Sequence, residues 1–120
     1  REAVFVEKNP AAARCIKRNL AFTRLEETGR LYTRDVMDFL QHPGGEEPFD
    51  LIFLDPPYDK GLEEKALALL ADGPLLAEDA LIVVEASLQT DFSYLDDLGY
   101  EQIRQKKYKT NQHVFITRGQ

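Results

Sequence analysis

Asp55-Pro56-Pro57-Tyr58 follows directly on Phe49-Asp50-Leu51-Ile52-Phe53-Leu54, a run apolar enough to be a buried strand. Two prolines cannot extend a hydrogen-bonded ladder, so the chain must leave the sheet here on a stiffened backbone. The carboxylate of Asp55, the backbone carbonyl of Pro56 and the flat ring of Tyr58 then share one rigid turn, with Pro57 holding it. Those groups suit a particular chemistry. The exocyclic amine of a nucleobase is a poor nucleophile, because its lone pair is delocalised into the ring. Acceptors that bind its two hydrogens draw the nitrogen toward tetrahedral geometry and free the pair, and preorganised acceptors do so without reorganising. An aromatic face holds a base taken out of its stack. Alignment with an electrophilic carbon supplies the remaining rate, with no metal and no covalent enzyme intermediate.

Two more acids stand at strand ends. Glu7 follows Ala3-Val4-Phe5-Val6, and Asp35 follows Arg30-Leu31-Tyr32-Thr33-Arg34. In open α/β sheets ligands gather beyond the carboxyl ends of the strands. An isolated acid in that place serves equally as a helix cap or turn residue, and the residues alone leave both uses open. Capping gives no reason for Pro-Pro-Tyr after a buried strand.

Positioning these groups requires an alternating framework. After the first strand, Asn9 is a good N-cap and Pro10 suits a first helical turn. Ala12, Ile16 and Leu20 then recur at helical spacing up to Phe22, with Arg14, Lys17 and Arg18 on the other face. Cys15 lies beside the apolar stripe and is expected in the core. Asp35 caps a short helix from Val36 to Gln41, and residues 42–48 form a loop. Leu62 to Leu70 is a helix ended by Gly73-Pro74. Ala80 to Glu85 is a second buried strand, and Phe92 to Leu98 a short helix stopped by Gly99. Tyr100 to Lys107 and Gln112 to Thr117 pair as a hairpin. The order predicts an α/β fold with a largely parallel sheet and a C-terminal antiparallel hairpin. Phe49 to Leu54 is expected to be covered by helices on both faces.

Composition narrows the classes. The 120 residues carry 15 Lys and Arg against 21 Asp and Glu, a net charge of −6, which excludes a generic nucleic-acid coat. Hydrophobic residues make up 43%, enough for a packed core, so the chain is not disordered. One Cys excludes a disulfide framework and a multi-Cys zinc site. His42 and His113 are not at metal-ligand spacing, no metal is expected, and His113 and Glu85 read as structural. No apolar run is long enough for a membrane span, and a cytoplasmic setting is expected. The chain starts at Arg1 and its only Met is Met37, so a piece of a longer protein is expected.

The order of these motifs resembles a family. Asp55-Pro56-Pro57-Tyr58 is similar to the catalytic motif of class I S-adenosylmethionine-dependent methyltransferases that act on exocyclic amines. The wider set, from Val6-Glu7-Lys8-Asn9 through residues 49–58 to Val83-Val84-Glu85, resembles the RsmD group. That group methylates the guanine N2 amine of one nucleotide in bacterial small-subunit ribosomal RNA. The resemblance implies a Rossmann-like sheet and S-adenosylmethionine as methyl donor. It implies cofactor binding by Glu7 with Lys8, by Asp35 with the Val36 N–H, and by Asp55, with residues 55–58 as the catalytic loop. Glu7 would take the ribose hydroxyls and Asp35 the adenine amine. The implied substrate is ribosomal RNA or the small-subunit particle, and the implied state a monomer.

The chain departs from that pattern in lacking the family's first strand and Gly-rich loop. Residues 1–120 therefore read as the C-terminal portion of a single catalytic domain, missing the middle of its sheet and binding cofactor poorly alone. Arg104, Lys106, Lys107 and Lys109, with Tyr108, form a basic cluster that is either a solvated face or a phosphate contact. Two rival functions fit the same residues: adenine-N6 methylation of DNA or RNA, and a non-catalytic nucleotide-binding α/β domain.

Overall fold

Asn9 fixes where the first helix begins. Its Oδ1 accepts from the Ala11 and Ala12 N–H groups, and Pro10 occupies the first helical position, where its missing N–H costs nothing. In the computed structural model, which describes residues 3–56 and 61–119, this helix is α1 (Pro10–Phe22). The chain divides into two compact units, Arg1–His42 and Pro43–Gln120.

In the first unit β1 (Ala3–Val6) and β2 (Gly29–Tyr32) pair in parallel, Ala3 opposite Gly29 and Val6 opposite Tyr32. Gly29 is needed there because α1 comes close: a Cβ on it would meet Leu20 Cδ2 at 2.6 Å. The short helix α2 (Val36–Gln41) buries Phe39 and Leu40, and the Phe39 ring lies 5.1 Å from that of Tyr32. Cys15 is exposed, contrary to the expectation of a core residue. It sits beside the stripe and not on it, whereas Ala13 on the same helix is buried.

The second unit holds β3 (Phe49–Leu54), α3 (Leu62–Asp72), β4 (Leu76–Ser87), β5 (Tyr100–Lys107) and β6 (Asn111–Arg118), with sheet order β3-β4-β6-β5. β3 and β4 are parallel, while β6 runs antiparallel to both β4 and β5. The expected helix between β4 and β5 is reduced to one 3₁₀ turn at Asp96–Leu98. Upstream of it Asp91 binds the Ser93 N–H and hydroxyl with its own carboxylate, a local bond that competes with helix formation. Gly99, at φ 84°, ends the turn in the left-handed region that glycine adopts without strain.

Register sorts the sheet into two faces. Ile82, Val84, Val114 and Ile116 are fully buried, and Leu67 and Leu70 of α3 complete this core. The Tyr100 hydroxyl donates to the buried Leu67 carbonyl at 2.7 Å. Apolar area of this kind stabilises at about 25 cal/mol per Å². The opposite face carries Leu51 and Phe53, exposed at 66% and 58%. The expectation that β3 is covered on both faces is thus met on one only, and among the described residues β3 has β4 as its sole strand partner. At Ile103 the register shifts by one residue, since Gln102 opposes Ile116 and Arg104 opposes Phe115. No helix among the described residues is long and apolar enough to cross a membrane.

Candidate active site

Asp55 and Pro56 come directly after β3, at its carboxyl end, as the sequence requires. Pro57 and Tyr58 lie outside the described residues. β4 runs parallel to β3 with Leu54 opposite Val84, so Glu85 follows at the same end of the sheet. On the far side of β4, Glu85 pairs in register with His113 of β6. Glu85 Oε1 and His113 Nε2 are 3.0 Å apart, and both side chains are about three-quarters buried, at 26% and 25% exposure. By the same register Asp55, one residue past Leu54, comes beside Glu85. Partial desolvation, then the neighbouring Glu85 carboxylate, raise Asp55 above the usual aspartate range. The hydrogen bonds from His113 and Asp55 lower Glu85.

Aromatic rings flank His113. Tyr108 and Phe53 meet it edge-on, with ring centres 4.9 Å and 6.2 Å away. Two residues that read as structural in the sequence, Glu85 and His113, thus stand beside the leading catalytic candidate. Nothing in their local sequence announces this, because residues 28 apart meet only through strand pairing.

The basic cluster is divided by the sheet. Lys106 is directly opposite His113, and Arg104 lies opposite Phe115 with its guanidinium 5.9 Å from that ring. Both therefore share the face of Glu85 and Asp55. Lys107 pairs with Gln112 and points to the other face. Lys109 follows in the turn between β5 and β6.

In the first unit the carboxyl ends of β1 and β2 bring Glu7, Lys8 and Asp35 together. Asp35 is the N-cap of α2, its Oδ1 accepting from the Met37 and Asp38 N–H groups at 2.8 and 3.4 Å. That leaves the Val36 N–H out of the cap. Asp35 Oδ2 faces Lys8 Nζ at 3.5 Å. The Met37 N–H bond is the largest influence holding the Asp35 carboxyl below its ordinary value. Glu7 Oε1 accepts from the Asn9 N–H at 3.1 Å, and its other oxygen remains available to a diol. These acceptors fit the ribose and adenine of a nucleoside, although Asp35 also has the structural duty of a cap.

A second cleft, of about 330 Å³, is lined by Gly61, Glu63, Glu64, Thr90, Asp91 and Tyr94. Glu63 Oε1 and the Tyr94 hydroxyl are buried there without a hydrogen-bond partner. Burial, then the nearby Glu63, Glu64 and Asp91 carboxylates, push the Tyr94 phenol upward.

Known proteins resemble this chain in sequence and in fold. The chain is 34% identical over 86 residues to ribosomal RNA small subunit methyltransferase D of Haemophilus influenzae, an alignment covering 71% of this chain and 45% of that protein. The chain thus spans less than half the length of that relative. A conserved hypothetical protein of Streptococcus pyogenes superposes with a TM-score of 0.86 at 26% identity, over 97% of this chain and 71% of that one. The ribosomal protein L11 methylase of Lactobacillus delbrueckii superposes at 0.80 with 13% identity, over 100% and 59% of the two chains, a likeness of fold alone. The fold is Rossmann-like. Residues 1–117 match the family described as Conserved hypothetical protein 95, and the chain belongs to it, the RsmD family.

Proposed function

We propose that the full-length protein transfers a methyl group from S-adenosylmethionine to the exocyclic N2 amine of a guanine in bacterial small-subunit ribosomal RNA, in the cytoplasm and as a monomer. Residues 1–120 would form the C-terminal portion of its one catalytic domain. The observation that carries this reading is Asp55-Pro56 at the carboxyl end of β3, in a chain 34% identical to a small-subunit RNA methyltransferase. The methyl donor would supply an electrophilic carbon. Glu7 would accept from ribose hydroxyls, and Asp35 Oδ2 and the Val36 N–H would meet the adenine edge after Lys8 swings aside. Asp55 and the Pro56 carbonyl would take the two amine hydrogens, with Tyr58 beneath the base.

The test is methyl transfer by the full-length protein from labelled S-adenosylmethionine to naked small-subunit RNA and to the assembled particle, with the modified base identified by nucleoside mass spectrometry. N2-methylguanine is the expected product. N6-methyladenine would replace this reading with the adenine alternative. Cofactor binding without transfer to any RNA would favour the non-catalytic domain.

A further inference from the structure

The Glu85–His113 pair has an ordinary explanation. Opposed polar residues on neighbouring strands pair across the sheet. That explanation leaves out where the pair sits. It lies at the carboxyl end of β3 and β4, on the face of Asp55, with Glu85 between Asp55 and His113. Two carboxyl groups within hydrogen-bonding reach either share a proton or repel each other. A surface pair chosen only for attraction would not set a second carboxylate against the first.

The proposed reaction gives this arrangement a use. As the N–C bond forms, the electron pair of the broken C–S bond leaves with sulfur, and the amine nitrogen must shed one proton. Asp55 is the nearest acceptor. We propose that Glu85 and His113 are positioning residues for Asp55, forming a hydrogen-bonded run Asp55–Glu85–His113 that aims its carboxylate at the substrate amine and passes the released proton to solvent at the imidazole. This rests on the function proposed above. The balance closes within the run: Asp55 receives the proton, Glu85 accepts it in turn, and His113 takes it up at Nε2, the nitrogen facing Glu85, while Nδ1 releases a proton to water. No other co-reactant is required.

The surroundings are those of a held relay. Phe53 and Tyr108 fix the imidazole from two sides. The charged and titratable groups facing Glu85 are Asp55 from β3, His113 from β6, and Lys106 with Tyr108 from β5 and its turn. Lys106 lies directly across from His113. The upward displacement of Asp55 makes it a stronger base than an ordinary aspartate, as an acceptor of the amine proton requires.

The test uses the full-length protein and two readouts. In Glu85→Gln, kcat should fall roughly 10–100-fold with KM for the methyl donor unchanged, as for a misaimed catalytic group, and the acid limb of the rate profile should move to lower pH. His113→Gln keeps an N–H toward Glu85 but cannot carry a proton, so it should preserve the Asp55 titration that His113→Leu shifts, while both variants lose turnover. Carboxyl NMR titration reads the same contact without catalysis: the Asp55 carboxyl should titrate at lower pH in Glu85→Gln. Unchanged kcat and an unmoved Asp55 titration in a folded Glu85→Gln protein would overturn the inference and leave the function standing. A moved titration in a protein with no methyl transfer would keep the Asp55–Glu85 contact but overturn both its catalytic use and the function.

Discussion

Glu85 of β4 and His113 of β6 face each other across one rung of the sheet, Oε1 to Nε2 at 3.0 Å, and Asp55 reaches the same carboxylate from the opposite side. The two acids carry stability dependences of opposite sign. Glu85 is lowered, so its contribution is present above the ordinary glutamate range and is lost as pH falls through the lowered value. Asp55 is raised, so its contribution is present below the ordinary aspartate value and is lost as pH rises through the raised one.

Asp55→Asn should therefore raise the melting temperature at neutral pH, since it removes an ionised group the fold disfavours. The same change should reduce turnover about 100-fold or more, the usual loss on removing a group that handles the proton. Calorimetry and a methyl-transfer assay on one preparation check both. A protein that melts lower at neutral pH would contradict the like-charge contact with Glu85.

Asp35 gives a second pH dependence. Its carboxyl is lowered by the Met37 N–H, so its capping contribution is complete above the ordinary aspartate range and fades as pH falls through the lowered value. Asp35→Ala should lower the melting temperature at neutral pH and remove that fading. Asp35→Asn keeps an acceptor for the helix N–H groups and should melt closer to the parent.

The core offers a simpler measurement. Leu67 is fully buried, and Leu67→Ala should destabilise the protein by about 2–5 kcal/mol in denaturant titration. Tyr100→Phe removes only the hydroxyl bonded to the Leu67 carbonyl and should cost about 1 kcal/mol or somewhat more. Burial pushes the Tyr100 phenol up to about 12, so its part of the stability is present below the free tyrosine value and is lost as pH rises through the folded one.

RNA binding should distinguish the two faces of β5. Arg104→Ala and Lys106→Ala should each flatten the log–log salt dependence of binding by about 0.7–0.9, one phosphate contact apiece. Lys107→Ala, on the opposite face, should leave that slope unchanged. Equal effects at all three positions would mean that the basic residues act only through net charge.

Much of this fold can be read from short-range chemistry. The capping roles of Asn9 and Asp35, the strand at Phe49–Leu54 and the turn at Asp55-Pro56 all follow from residues within a few positions of each other. The start of β4 does not. The sequence predicts a strand from Ala80, yet Leu76 already pairs with Phe49, and the irregular register before Leu51 absorbs the extra residues. Glu85 and His113 were hidden for another reason: their meeting is decided by register between strands, and register comes from the whole sheet's burial pattern.

The register shift at Ile103 has one more consequence. Tyr100, before it, turns toward the core beneath α3, whereas Arg104 and Lys106, after it, lie on the sheet face of His113 and Glu85. A single strand thus serves as an anchor at one end and as a charged fringe at the other, with a half-period phase slip between. Adding or deleting one residue between Arg104 and Lys107 would swap which cations look at the acids, whereas a two-residue change would preserve the pattern, so this strand tolerates alteration only in even steps.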